Sequence, residues 1–410
     1  MSAEQQRAAS VSGINLRTMM VTLFAGIFAA SILAPAVHAQ TFQVLHSFDG
    51  HGDGSVPEAG VTIDRAGNFY GTTFQGTVFK LSHLGTGWVL STLYTFRGGS
   101  DGANPASRVV FGPDGTLYGT TTDGGGSGWG TVYNLRPPAT VCKATECPWT
   151  EIIIHHFTGS DGGAPEFGDL VFDAAGNIYG TTSGGGAHGQ GVVFELTPSG
   201  AGWTESVLHS FAGGGDGAVP YSGVTFDAAG NLYGTTTLGG AHSEGTVYEL
   251  TSSQSGWSET TLFAFDGSDQ SFTPYGGLIF DRQGNLYGTA CGGPNGGGTF
   301  FELEPSNGGW AYNLIYGFPG YSGPRGTPTM DASGNMFLTD LNTGPYQAGS
   351  VFKLTPGTNG WTATDLYDFN GASTGAAPFG NVILDADGNI YGTTTLGGTH
   401  NLGEVFEVTP

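Results

Sequence analysis

The chain has 410 residues, with Lys+Arg 11 against Asp+Glu 34 and a formal net charge of -23. That field repels phosphate backbones and anionic lipid, which excludes nucleic acid as an expected partner. Only 11% of residues are charged while aromatics reach 12%, a balance that suits a packed β protein and not a disordered acidic tail. Gly 75 and Pro 20 would suggest low complexity in a chain without a period, but this chain has one.

Residues 1–39 come first. Arg7 and Arg17 precede the apolar run MMVTLFAGIFAASILAPAV, and Val37-His38-Ala39 carries small residues at the two positions a signal peptidase reads. Gly26 and Pro35 interrupt a run that barely reaches spanning length. The segment therefore reads as a secretory signal cleaved after Ala39, not as a membrane anchor. A secreted protein, periplasmic or extracellular, is expected, monomeric and without a membrane span after cleavage.

From residue 40 onward one element is written seven times: GNFYGTT, GTLYGTT, GNIYGTT, GNLYGTT, GNLYGTA, GNMFLTD and GNIYGTT. Its aromatics, Tyr70, Tyr118, Tyr179, Tyr233, Tyr287, Phe337 and Tyr391, recur at intervals of 48, 61, 54, 54, 50 and 54. Each unit holds four short runs of β-branched and aromatic residues between turn residues, as in YSGVTFD, NLYGTTT, GTVYELT and WSETTLFAF. Four strands repeated seven times predict an all-β fold, a seven-bladed β-propeller over 40–410. The expected blades are 57–97, 105–157, 165–212, 220–266, 274–318, 324–370 and 378–410 plus 42–48. The last blade ends at its third strand, and TFQVLHSF near the start matches a fourth strand through Leu45, His46 and Phe48. Residues 42–48 should therefore pair with 403–409 and close the ring, leaving no open sheet edge.

GGAHSEGTVYEL, SGGGAHGQGVVFEL and LGGTHNLGEVFEV resemble the GloVer tandem repeat of exported bacterial proteins of the choice-of-anchor type, in which a glycine cluster leads into GxVFxLTP. The likeness covers essentially all of residues 41–410. It implies bacterial export and brings no settled biochemical activity with it. The chain ends on a strand with no C-terminal sorting segment, so surface attachment is not expected. The DxxGNxY element also resembles NHL and SMP-30-like propellers, which implies strands running from inner to outer.

Most recurring residues read as scaffold. The Asp of DAAGN accepts from turn amides and its Gly takes φ > 0. DADGN in the last unit, with Asp385, Asp387 and Asn389, lacks the closing acid of a calcium loop. Trp88, Trp149, Trp203, Trp257, Trp310 and Trp361 sit five residues before the Leu or Ile of strand four, as rim packing. His46, His155 and His209 fill a place that is Tyr or Phe in other blades, which reads as packing.

Function must then come from loops where the copies differ. Two loop sets should share one face: those joining strands two and three, and those joining strand four to the next blade. The first set presents His188, His242, Tyr346 and His400 at one position, with Trp129 beside it in blade two, while blade one has only a tight FQG turn. The second set carries Asp53, Asp101, Asp161, Asp216 and Asp269, where turn formation competes with calcium as the reading, and no other cofactor is implied. Each of these loops ends in proline, and the next residue, Glu58, Ala106, Glu166, Tyr221, Tyr275, Arg325 or Phe379, should ring the channel mouth with Trp129 above. Flat rings stack on sugars and charged groups fix orientation, so this ring is the candidate ligand site. Cys142 and Cys147 are placed to close a small disulfide loop and Cys291 is left over.

Two functions fit. One is a non-enzymatic binding or structural protein with a glycan or protein ligand on that face. The other is an extracellular enzyme, a metal-assisted hydrolase, lactonase or glycan lyase using Glu58, Glu166, His188, His242 and Arg325. No HExxH pair occurs, and the reading favours binding, with no catalytic residue assigned.

Overall fold

The computed structural model describes residues 40–139, 149–268 and 271–410. The expected signal segment at 1–39, Cys142, Cys147 and Asp269 lie outside the described residues. Within them, 28 strands form seven four-stranded antiparallel sheets and no helix occurs. Blade four is representative, with strands Thr225–Phe226, Leu232–Thr236, Thr246–Ser253 and Gly256–Ala264 paired in chain order. The short first strands of all seven sheets line one channel, so each sheet runs outward from the axis as a propeller blade.

Closure follows the expected route. The last blade joins Ile383–Leu384, Ile390–Thr394 and Glu404–Thr409 to Thr41–Ser47, with Thr41 opposite Thr409 and Ser47 opposite Glu404. Phe48 N then donates to Gly403 O at 3.1 Å. Leu45 and Phe48 are buried there against Val61, Phe69 and Phe79 of blade one, so the strand both completes its own sheet and seals the seam.

The core lies between blades. Seven apolar clusters form, one at each junction; that between blades one and two holds Tyr70, Val78 and Leu93 from one sheet and Leu117, Tyr133 and Leu135 from the next. A second strand such as LYGTT is sandwiched on both faces and buried at all five positions, which is why it reads as unbroken apolar and small residues. The tryptophans pack at the rim across junctions: the Trp149 ring meets Tyr70 of the preceding blade at 6.3 Å. Strand four bulges in every blade at one residue, Leu45, Leu93, Ile154, Leu208, Leu262, Ile315 or Leu366, which has no partner on strand three. The bulge turns this apolar side chain into the neighbouring junction and adds local twist.

The DxxGN hairpin joins strands one and two by one repeated set of bonds. Asp227 Oδ1 accepts from the Ala229 and Asn231 amides at 2.8 Å each, Asp227 Oδ2 accepts from Asn231 Nδ2 at 2.9 Å, and Gly230 takes φ 88°. Tyr233, in the next strand, donates to Asp227 at 3.3 Å and to Glu249 of strand three at 2.8 Å, tying three strands together. Asp385 is used in the same way by Asp387 N, Asn389 and Tyr391, which is the structural role expected of DADGN.

Candidate functional site

The strand two to three loops and the inter-blade loops do share a face, and backbone bonds knit them together. Isolated bridges join Ala103 to Asp123, Gly163 to Gly184, Ala218 to Leu238, Phe272 to Cys291 and Ala376 to Leu396. The inter-blade loops then feed the first strands, so their last residues arrive at the axis.

There the side chains form a closed circuit. Phe167 and Tyr221 stack at 5.1 Å between ring centres, Tyr221 meets Tyr275 edge-on at 5.1 Å, and Phe167 reaches across to Phe379 at 4.7 Å. The Arg325 guanidinium closes the circuit over Tyr275 at 4.3 Å and Phe379 at 5.2 Å. All five are half-buried, and Phe167, Tyr275, Arg325 and Phe379 line a void of about 20 Å³, room for about one water. Phe167, not Glu166, holds the blade-three place. Pro165 to Asp173 spans eight positions where Pro220 to Asp227 spans seven, and strand pairing fixes the later end, so the extra residue moves Glu166 off the ring. Glu166 instead accepts from Ser183 Oγ at 2.9 Å and from the Tyr221 hydroxyl.

Glu58 and Ala106 complete the circle on the side of blades one and two. Ala106 is buried, and Glu58 lines the void. Burial, then the nearby Glu166 charge, push the Glu58 carboxyl up to about 7. Arg325 Nε is buried without a hydrogen-bond partner, and the guanidinium also contacts the Cys291 thiol, which burial pushes up to about 11. Among the described residues Cys291 is a free, buried cysteine.

One layer below, three further residues converge. Arg108 donates to Asp169 at 2.9 and 2.7 Å, and Asn381 reaches the same Asp169 oxygen at 3.4 Å from blade seven. These side chains divide the axial site from a channel of about 690 Å³ walled by Ile63, Val110, Val171, Ile279 and Ile383. Sequence reasoning missed Phe167, Arg108, Asp169 and Asn381. The eight-residue spacing was a readable signal for the first; the convergence of the other three is not local in sequence.

The outer loop residues stand apart from the circuit. The Trp129 indole packs against Gly159 and Gly163 of the loop entering blade three and is 42% exposed, over that loop and not over the ring. His188, His242 and His400 are exposed and none lines the axial void, so the histidines and acids of the enzyme reading are not brought together. Tyr346 is exposed as well.

The acidic loops have a structural use. Asp53 accepts from Asp49 N and Gly50 N at 3.1 and 2.9 Å, Asp101 from Arg97 N at 2.9 Å, Asp161 from Thr158 N at 2.8 Å and Asp216 from Ala212 N at 2.8 Å. Each also meets the ring of strand four: His46 at 2.9 Å, Tyr94 at 3.2 Å, His155 at 3.1 Å and His209 at 3.3 Å. Those histidines thus pair with a loop aspartate besides packing edge-on against Phe48, Phe157 and Phe211. Calcium takes six to eight oxygens at one point. These carboxylates are spread over separate junctions, and among the described residues no three His, Cys, Asp or Glu side chains are grouped to hold a metal.

No curated protein sequence matches this chain. Among solved structures, one described as the extracellular domain of a one-component system of B. thetaiotaomicron aligns with TM-score 0.53 at 14% identity, over 89% of this chain and 39% of that one. The chain thus spans about two fifths of that structure. A gluconolactonase-type structure aligns with TM-score 0.44 at 13% identity, over 91% of this chain and 92% of that one. The first is similar in fold alone. No helix among the described residues is long and apolar enough to cross a membrane. The model of the Gloeobacter/Verrucomicrobia repeat matches residues 30–147, 139–327 and 291–410, and the chain belongs to that repeat family.

Proposed function

We propose that this protein is an exported, non-enzymatic recognition propeller that takes a glycan or protein ligand on its loop face. The observation that carries this reading is the axial circuit of Phe167, Tyr221, Tyr275, Arg325 and Phe379, half-exposed over a void too small to enclose a substrate. Such a platform offers flat apolar faces for stacking and one cation for orientation. Trp129, Leu238, Phe272, Tyr321, Tyr346 and Leu396 expose further apolar surface on loops of the same face. Export rests on the leader at residues 1–39.

A glycan array paired with calorimetry tests this reading. Tyr221→Ala should weaken the strongest hit by about 10-fold or more, and Trp129→Ala by less, with no turnover of the ligand. One observation favours the enzyme alternative: Glu58, with its carboxyl at about 7, is suited to pass a proton near neutral pH. Turnover abolished by Glu58→Gln would replace the binding reading with the catalytic one.

A further inference from the structure

The junction between blades five and six breaks the pattern in three ways at once. Tyr316 to Pro324 spans eight positions, whereas Tyr94 to Pro105 and His209 to Pro220 span eleven, so the loop entering blade six is three residues shorter and has no aspartate. Ala363, two residues after Trp361, stands where Glu151, Glu205 and Glu259 stand two residues after Trp149, Trp203 and Trp257. Leu338 replaces the glycine that the other six blades keep beneath the strand-three ring, and Phe352, the ring concerned, is buried at 5% exposure where its counterparts stand at 0%.

The result is a cavity of about 520 Å³ where the sister junctions hold a turn of the chain. Tyr316, Tyr321, Thr343, Phe352, Asp365 and Asp368 line it, and no lysine or arginine does. Asp368 accepts from Ser350 Oγ at 2.6 Å, and burial followed by the Asp368 charge pushes Asp365 up to about 6. Two adjacent carboxylates without a counter-ion are an unfavourable arrangement that a cation relieves. Thr343 is 3% exposed, and its hydroxyl lies against the buried Asp340 carboxyl behind the slot wall. Tyr321 is 87% exposed at the lip, where its ring is free to lie over a cation.

We propose that this slot binds a lysine or arginine side chain of a basic peptide or protein partner. The equivalent slot elsewhere holds peptide backbone bearing one side chain, so its walls have the dimensions of a peptide. The formal net charge of -23 draws basic chains toward it. An ammonium or guanidinium needs only the two carboxylates and the rings. The site is separate from the axial circuit, and its failure would leave the loop-face reading standing.

The test is calorimetry at low salt with acetyl-Gly-Lys-Gly-amide and acetyl-Gly-Arg-Gly-amide, against the neutral norleucine tripeptide and glucosamine. The basic tripeptides should bind with Kd of about 1 mM or tighter. Asp365→Asn with Asp368→Asn should weaken them at least about 10-fold, and the exposed Tyr321→Ala, which leaves the fold untouched, about 3-fold. Grafting residues 97–105 in place of 319–324 should close the slot and remove binding. Equal affinity for the norleucine peptide, tighter binding of glucosamine than of the lysine peptide, unchanged affinity in both the Asp365→Asn and Tyr321→Ala variants, or no heat with any probe would each overturn the proposal.

Discussion

On one face of the ring, six hairpins repeat the bonds of Asp227 and Asn231 almost atom for atom, from Asp64 and Asn68 to Asp385 and Asn389. On the other, the seven equivalent axial positions hold Glu58, Ala106, Phe167, Tyr221, Tyr275, Arg325 and Phe379, no two neighbouring blades agreeing in more than the tyrosine pair. In six of the seven blades an aspartate meets the same turn amides, so one solution recurs. The loop face has satisfied its backbone through inter-loop bridges, which leaves its side chains free to diverge. Recognition chemistry is therefore expected on the second face and stability on the first.

The strongest way to break that division is to remove what both faces depend on. Deleting residues 41–48 leaves Glu404–Thr409 as an open edge and uncovers the Leu45 and Phe48 seam, and should abolish cooperative unfolding by calorimetry. A folded, cooperative truncation would contradict the closure. The next effect in size belongs to the hairpin face. Asp227→Ala removes the acceptor of two amides, Asn231 and Tyr233, and should cost about 1–3 kcal/mol by denaturant titration, with loop-face binding unchanged.

The junctions should respond to pH. Glu151, Glu205 and Glu259 are each pushed up to about 7, first by burial and then by Asp101, Asp161 and Asp216 respectively, while Thr261 partly offsets this at Glu259. Because the folded values lie above the unfolded value near 4.3, the folded state holds more protons between them. Their stabilisation is full below about 4.3 and is lost as pH rises through about 7. After allowance for solvent screening this is on the order of 1 kcal/mol per site. The midpoint of thermal unfolding should be higher at pH 6 than at pH 8.5, and Glu205→Gln should flatten the difference. The smallest effect sharpens the scaffold. The Tyr133 and Tyr248 hydroxyls are buried without hydrogen-bond partners in places where other blades carry Phe79, Phe194 and Phe406. Tyr248→Phe should be neutral or stabilising by up to about 1 kcal/mol in chemical denaturation.

The repeat made the fold legible, because seven copies fix strand number, order and the missing fourth strand without any three-dimensional information. The site was legible only in part. Counting forward from Pro165 lands on Glu166, whereas pairing of Val171 with Tyr179 sets the register from the other end and delivers Phe167 to the axis. The pairing of His46 with Asp53 and of His209 with Asp216 is written in a shared spacing of seven, yet each residue read alone suggests packing for the histidine and turn formation or calcium for the aspartate. Arg108, Asp169 and Asn381 meet across the ring from positions 61 and 212 residues apart, which no local pattern encodes. Trp129 was placed over the ring by its loop, but Gly159 and Gly163 give it a nearer surface to pack on.

The division between the faces is tested most directly by measuring ligand affinity and thermal midpoint together for matched variants of each. Tyr221→Ala with Tyr275→Ala on the loop face should weaken the array-identified ligand by about 10-fold or more. Arg282→Ala on the opposite face should leave its affinity unchanged, with both variants melting cooperatively. Wild-type affinity in the tyrosine pair variant, or affinity lost in Arg282→Ala with melting unchanged, would contradict the account.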